Sequence, residues 1–101
     1  MSAYMMIAAK ITDRDAFVAG YGKAAAALVA QFGGSYLFVA PGATLLEGTL
    51  EGYSSVAVSE WPTIEAARAF WDSAEYAEVK KLRDGCADVQ VLLVDAPANT
   101  H

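Results

Sequence analysis

Two stretches of this chain have almost no face to show to water. In AYMMIAAKI, residues 3–11, Met5, Ile7, Ala9 and Ile11 fall on one side of a β-strand, while Tyr4, Met6 and Ala8 fall on the other. In VQVLLVD, residues 89–95, the alternation is apolar on both sides again. Strands of this kind need a covering layer over each face of their sheet. Whatever lies between them must therefore supply at least one cover, and any second cover must be accounted for.

The intervening sequence supplies one. Thr12 or Asp13 can cap a helix whose first turn carries Asp13 and Asp15. Phe17, Tyr21, Leu28 and Phe32 then recur at helical spacing until Gly33 and Gly34 supply a stop. SYLFVA, residues 35–40, reads as a second strand, with a resumption at 44–47 after the Pro41-Gly42 turn. Residues 55–61 alternate as a third, with Val56, Val58 and Glu60 on one face and Ala57, Ser59 and Trp61 on the other. Thr63 caps a second helical region in which Ile64, Ala67, Phe70 and Trp71 form one apolar stripe. Asp72 and Ser73 interrupt that stripe. Ser73 restarts it as a second cap, and Tyr76, Val79 and Leu82 or Arg83 carry it on to Gly85.

The order is strand, helix, strand, strand, helix, strand. It predicts an α+β, ferredoxin-like βαββαβ sandwich with a four-stranded antiparallel sheet and both helical regions on one face. A chain of 101 residues has room for one such domain, residues 1–96, with 97–101 as a frayed tail. Two helical layers cover one sheet face only. A second copy is the economical cover for the other, giving a homodimer through the sheet faces in which Tyr4, Met6, Val56, Val58, Leu92 and Val94, or their opposite-face neighbours, meet the partner.

Composition narrows the function. A net charge of −5 argues against nucleic acid as a partner, because phosphate backbones require a basic stripe. The apolar run at residues 3–9 is too short to span a bilayer and has no basic segment before it, so no membrane partner is expected and a cytoplasmic protein is. The single cysteine, Cys86, excludes an internal disulfide. The single histidine, His101, excludes a His/Cys metal cluster, so neither metal nor cofactor is expected. Cys86 has no neighbouring histidine to activate it, and neither GYG at 20–22 nor FGG at 32–34 has the spacing of a phosphate loop.

Five residues carry candidate chemistry. Glu60, at a strand end just before a helix, can serve as a general base or simply accept backbone hydrogen bonds from that helix. Tyr36 and Tyr21 can donate phenolic protons to a carbonyl or an enolate, or be core residues with satisfied hydroxyls. Trp71 can wall an aromatic ligand or belong to the core stripe. Arg83 can hold a substrate carboxylate, or partner Glu78 or the helix C-terminus. The expectation is one cavity lined by Tyr36, Glu60 and Trp71, with Tyr21 and Arg83 nearby.

EWPTIEAARAFWDSAEY, together with QFGGSYL and LLEG, resembles the domain of unknown function 1330 family, small bacterial proteins of the dimeric α+β barrel superfamily, over nearly the whole chain. Glu60, Trp61, Pro62 and Thr63, then Trp71, Ser73, Glu75 and Tyr76, carry the likeness. Ala74 stands where that family commonly has proline, and residues 38–41 replace its usual basic residue after the double glycine. The superfamily also holds cofactor-independent monooxygenases, muconolactone isomerases and heme-binding enzymes, and a fold does not fix a function. The resemblance implies a cofactor-independent isomerase or monooxygenase of a small apolar molecule, using Glu60 and a tyrosine for proton transfer. The alternative is a non-catalytic dimer that binds a small molecule or serves a larger assembly.

Overall fold

The computed structural model describes residues 2–96, and His101 and the expected tail lie outside them. β1 (Ser2–Ile11) leads into a helical rod made of α1 (Arg14–Ala16), a π-helical stretch (Phe17–Gly22) and α2 (Lys23–Gln31). β2 (Ser35–Ala40) and β3 (Ser55–Trp61) follow. Then come α3 (Ile64–Trp71), α4 (Ala74–Lys80), a 3₁₀ turn (Lys81–Arg83) and β4 (Ala87–Ala96). The four strands form one antiparallel sheet in the order β2-β3-β1-β4, the ferredoxin-like arrangement. No described helix is long and apolar enough to cross a membrane.

The caps explain where the helices start. Asp13 accepts the Ala16 N–H on its carboxylate at 3.2 Å, whereas the Thr12 hydroxyl donates to the carbonyl of Cys86 at 3.0 Å and so ties the rod to the entrance of β4. Thr63 Oγ1 accepts the Ala66 N–H at 3.1 Å. The break at Asp72 and Ser73 is stitched by one hydroxyl: Ser73 Oγ donates to the Phe70 carbonyl at 2.8 Å and accepts the Tyr76 N–H at 3.0 Å. It thus serves the orphan groups of the helix before it and the helix after it.

The core lies between the sheet and the helices. Trp61, Phe70 and Tyr76 are buried there with Ala3, Met5, Leu28, Val29 and Ala67. Each large side chain withdrawn from water contributes roughly 1.5–3 kcal/mol. The Trp61 indole N–H donates to Ser59 Oγ at 3.0 Å, so the most buried ring carries no unmet donor. Its fit dictates the double glycine. Gly33 has φ +92°, and a Cβ on Gly34 would stand 2.9 Å from the Trp61 ring.

Two local expectations change. The strand does not resume at 44–47, which is irregular: β2 stops at Pro41, whose carbonyl accepts hydrogen bonds from Arg14 and Ser55 instead of continuing a ladder. The first helix is continuous in direction but π-helical across Phe17–Gly22, where Gly20 and Gly22 weaken the α-helical preference.

The other sheet face is bare. Phe38 sits opposite Val58, Val58 opposite Met6, and Met6 opposite Leu92, an apolar row that crosses all four strands. Met6 is 44% exposed and Leu92 64%.

Candidate functional site

A cleft of about 560 Å³ separates the helical rod from the sheet. Its floor is Ile7 and Ala9 of β1 with Ala57 of β3, its roof is Phe17, Val18 and Tyr21 of the π-helical stretch, and Tyr36 and Val39 of β2 form its side. These walls are almost wholly apolar. The cleft opens beside the edge strand, where Val18 is 55% and Val39 69% exposed. A volume of this size holds an ordinary small organic molecule. The π-helical stretch supplies most of the roof, in keeping with the frequent occurrence of such turns at functional sites.

Polar groups sit at the two ends. At the inner end Tyr36 lies at the level of Ser59, half-buried, and burial pushes its phenol up to about 12, with Tyr21 adding to the shift. Tyr21 and Tyr76 share a hydrogen bond of 2.8 Å, and Arg83 Nη1 donates to both hydroxyls, at 3.4 and 3.3 Å. Burial raises the Tyr76 phenol first, its electrostatic coupling and hydrogen bond to Tyr21 raise it further, and Arg83 opposes them. Tyr36 and Tyr76 therefore keep a proton available for donation over the whole ordinary pH range. At the outer end Arg14 bridges the helical rod to the sheet through Pro41 and Ser55.

Of the residues singled out in the sequence, Tyr36 and Tyr21 line this cleft, and Arg83 stands behind Tyr21 with its guanidinium 5.4 Å from the ring centre. Glu60 and Trp71 do not join them. Strand alternation explains Glu60: its neighbours Ser59 and Trp61 are buried under the helices, so its own side chain emerges on the bare face, where the Tyr4 hydroxyl donates to Oε2 at 3.2 Å. Trp71 packs on Tyr76 at 5.1 Å and lies under the Lys80 ammonium, beside a smaller hollow of about 210 Å³ that it shares with Met5, Arg68, Val91 and Leu93. Among the described residues no group of three His, Cys, Asp or Glu side chains is placed to hold a metal.

Arg14 and the π-helical stretch escaped the sequence reading. Gly20 and Gly22 were the available sign of an irregular helix. Arg14 carried one weak sign, a cation in the first turn of a helix, where the dipole favours anions.

The chain belongs to the DUF1330 family, a domain of unknown function whose model matches residues 2–97. No curated protein matches it. Among solved structures, a protein of unknown function from Rhodopseudomonas palustris superposes with a TM-score of 0.76 at 17% identity, over 97% of this chain and 84% of that one. SnoaB, a cofactor-independent oxygenase from Streptomyces nogalater, superposes with a TM-score of 0.68 at 15% identity, over 97% and 95% of the two chains. A protein from Arabidopsis thaliana does so with a TM-score of 0.70 at 17% identity, over 100% and 98%. Likeness at these identities establishes a shared fold, the ferredoxin-like α+β sandwich.

Proposed function

We propose, from this family membership and the cleft together, that the protein is a homodimer that binds a small, mostly apolar molecule between its helical rod and sheet, with the Tyr36 hydroxyl donating to a carbonyl oxygen of that molecule. The observation that carries the reading is the cleft itself: apolar walls, with a protonated phenol at the inner end. Tyr21 shapes the wall beside Tyr36, and Arg83 holds Tyr21 in place.

Two versions of this reading differ in chemistry. In the enzymatic one, Tyr36 stabilises an enolate oxygen in a cofactor-independent isomerase or oxygenase, and the fold shared with SnoaB supports it. In the other, binding is the whole function. The second is favoured by the lining, because among the described residues no carboxylate or imidazole faces the cleft to take a proton from carbon. Glu60, on the opposite sheet face, then belongs to the dimer seam with Tyr4.

The bare face supports the homodimer. The row Phe38, Val58, Met6, Leu92 and the neighbouring Val94 expose more contiguous apolar surface than a lone sheet keeps in water, and a second copy offers the same row back.

An aryl methyl ketone such as acetylnaphthalene tests the site. Wild type binds it, Tyr36→Phe binds it up to about tenfold more weakly, and Ala57→Phe, which fills the cleft, does not bind it. Calorimetry in which wild type fails to bind, or in which the filled variant binds as well as wild type, removes the reading. Protein-accelerated exchange of the ketone's methyl protons with deuterated water marks the enzymatic version, and its absence with binding intact leaves the other.

A further inference from the structure

We infer that the molecule received by this cleft is an elongated apolar carboxylate, lying with a neutral oxygen at Tyr36 and its anionic end on the guanidinium of Arg14. This rests on the reading of the cleft as a ligand site and adds the ligand's class.

Arg14 lines the exposed rim of the cleft, and the two side-chain hydrogen bonds it makes among the described residues leave from one nitrogen: Nη2 donates to the Pro41 carbonyl at 3.3 Å and to Ser55 Oγ at 2.8 Å. A guanidinium carries five N–H groups in a rigid fork, so those on Nη1 and Nε keep their capacity for a carboxylate. The two tethers hold the group in position before a ligand arrives, which lowers the ordering cost of binding. No carboxylate oxygen among the described residues lies within ion-pair distance of it. The one ion pair among them joins Lys81 to Glu78, and the neighbouring Asp13 carboxylate turns to the Ala16 N–H as a helix cap. Lys23, the other cation on the lining, makes no such tether among the described residues.

The cleft thus has two chemically different ends. Ser55, which tethers Arg14, lies opposite Ala9, and Ser59, beside Tyr36, lies opposite Met5. Four residues of strand separate the two ends, about 13 Å. Between them stand Ile7, Phe17, Val39 and Ala57, which offer a ligand nothing polar. A molecule that satisfies the whole cleft carries a hydroxyl or carbonyl at one end, an apolar body about the length of two fused or linked rings, and a carboxylate at the other.

The probe para,para′-hydroxybiphenylcarboxylate has this shape. Titration calorimetry on the full chain compares it with its methyl ester and with para-phenylphenol, using wild type, Arg14→Gln and Lys23→Gln. The acid is expected to bind wild type about five- to tenfold more tightly than the ester. That preference should vanish in Arg14→Gln, persist in Lys23→Gln, and shrink as salt rises. If wild type binds acid and ester equally, or if the preference survives Arg14→Gln, the carboxylate assignment is overturned while the cleft remains a ligand site. Failure of all three compounds to bind overturns both readings. Should Arg14→Gln not fold, the salt dependence of the wild-type preference decides, and a preference indifferent to salt overturns the assignment.

Discussion

Tyr36 and Tyr76 hold their protons more tightly than a phenol in water does. Burial is the main cause in both, reinforced by Tyr21, and Tyr36 is pushed up from 10.0 to about 12. Between those two values the unfolded chain has lost a proton that the folded chain keeps, so the contribution to stability is complete below pH 10 and is lost as pH climbs towards 12. Neither residue makes stability vary between neutral and mildly acidic pH. Ultraviolet titration should find two tyrosines that ionise well above pH 10 in the folded protein, with unfolding free energy falling from about pH 10 upward. A folded protein without such a late pair would contradict the burial described for Tyr36 and Tyr76. At this scale the sequence was a partial guide. It grouped Glu60 correctly with Val56 and Val58, yet a strand pattern apolar on both sides holds no sign of which side the helices take, and Glu60 turned out to face away from them. Tyr36 and Tyr21 meet because β2 and the helical rod stack, a tertiary fact that spacing alone does not encode.

Among the elements, the interrupted helix shows best how local chemistry sets local structure. Ser73 Oγ bonds both to the Phe70 carbonyl and to the Tyr76 N–H, so Ser73→Ala should cost about 1 kcal/mol of stability. Urea unfolding measures this, and affinity for any cleft ligand should stay unchanged because Ser73 is not among the residues lining the cleft. Unchanged stability with lost binding would move the segment from scaffold to site. This break was legible because Ser73 and Glu75 are cap signals that act over three or four residues. β2 and β3 were legible for a similar reason, the aromatic and branched run of the one and the alternation of the other being bounded by glycine, proline and serine. The π-helical stretch was not, since Phe17 and Tyr21 fit α-helical spacing equally well and only the packing of the rod over the sheet distinguishes the two windings. The bulge between Tyr36 and Phe38, which sends Phe38 to the bare face while Tyr36 faces the cleft, is likewise a matter of pairing with β3.

The whole molecule is a slab measuring 38 × 37 × 17 Å across its Cα atoms, thin because one sheet face has no layer over it. The proposed dimer doubles that thickness and buries on the order of 1,600 Å² or more. Light scattering at micromolar concentration should give twice the 10.7 kDa chain mass, and Met6→Glu, which places a charge at the middle of the apolar row, should give the monomer. A monomeric wild type would remove the proposal. The strand order has a consequence of another kind, for the path by which the chain reaches this shape. β1 is an inner strand, yet its partners are β3 and β4, and the register joins Ser2 to Ala96. The helical rods can gather from neighbours in sequence, but the middle of the sheet requires closing loops that span half and then nearly all of the described chain. Until β4 docks, β1 presents along one edge a full ladder of unpaired amides and carbonyls flanked by methionine and isoleucine side chains. A chain that has not yet docked β4 therefore carries an open edge at the middle of its sheet, and the pairing of Ser2–Ile11 with Ala87–Ala96 is what closes it.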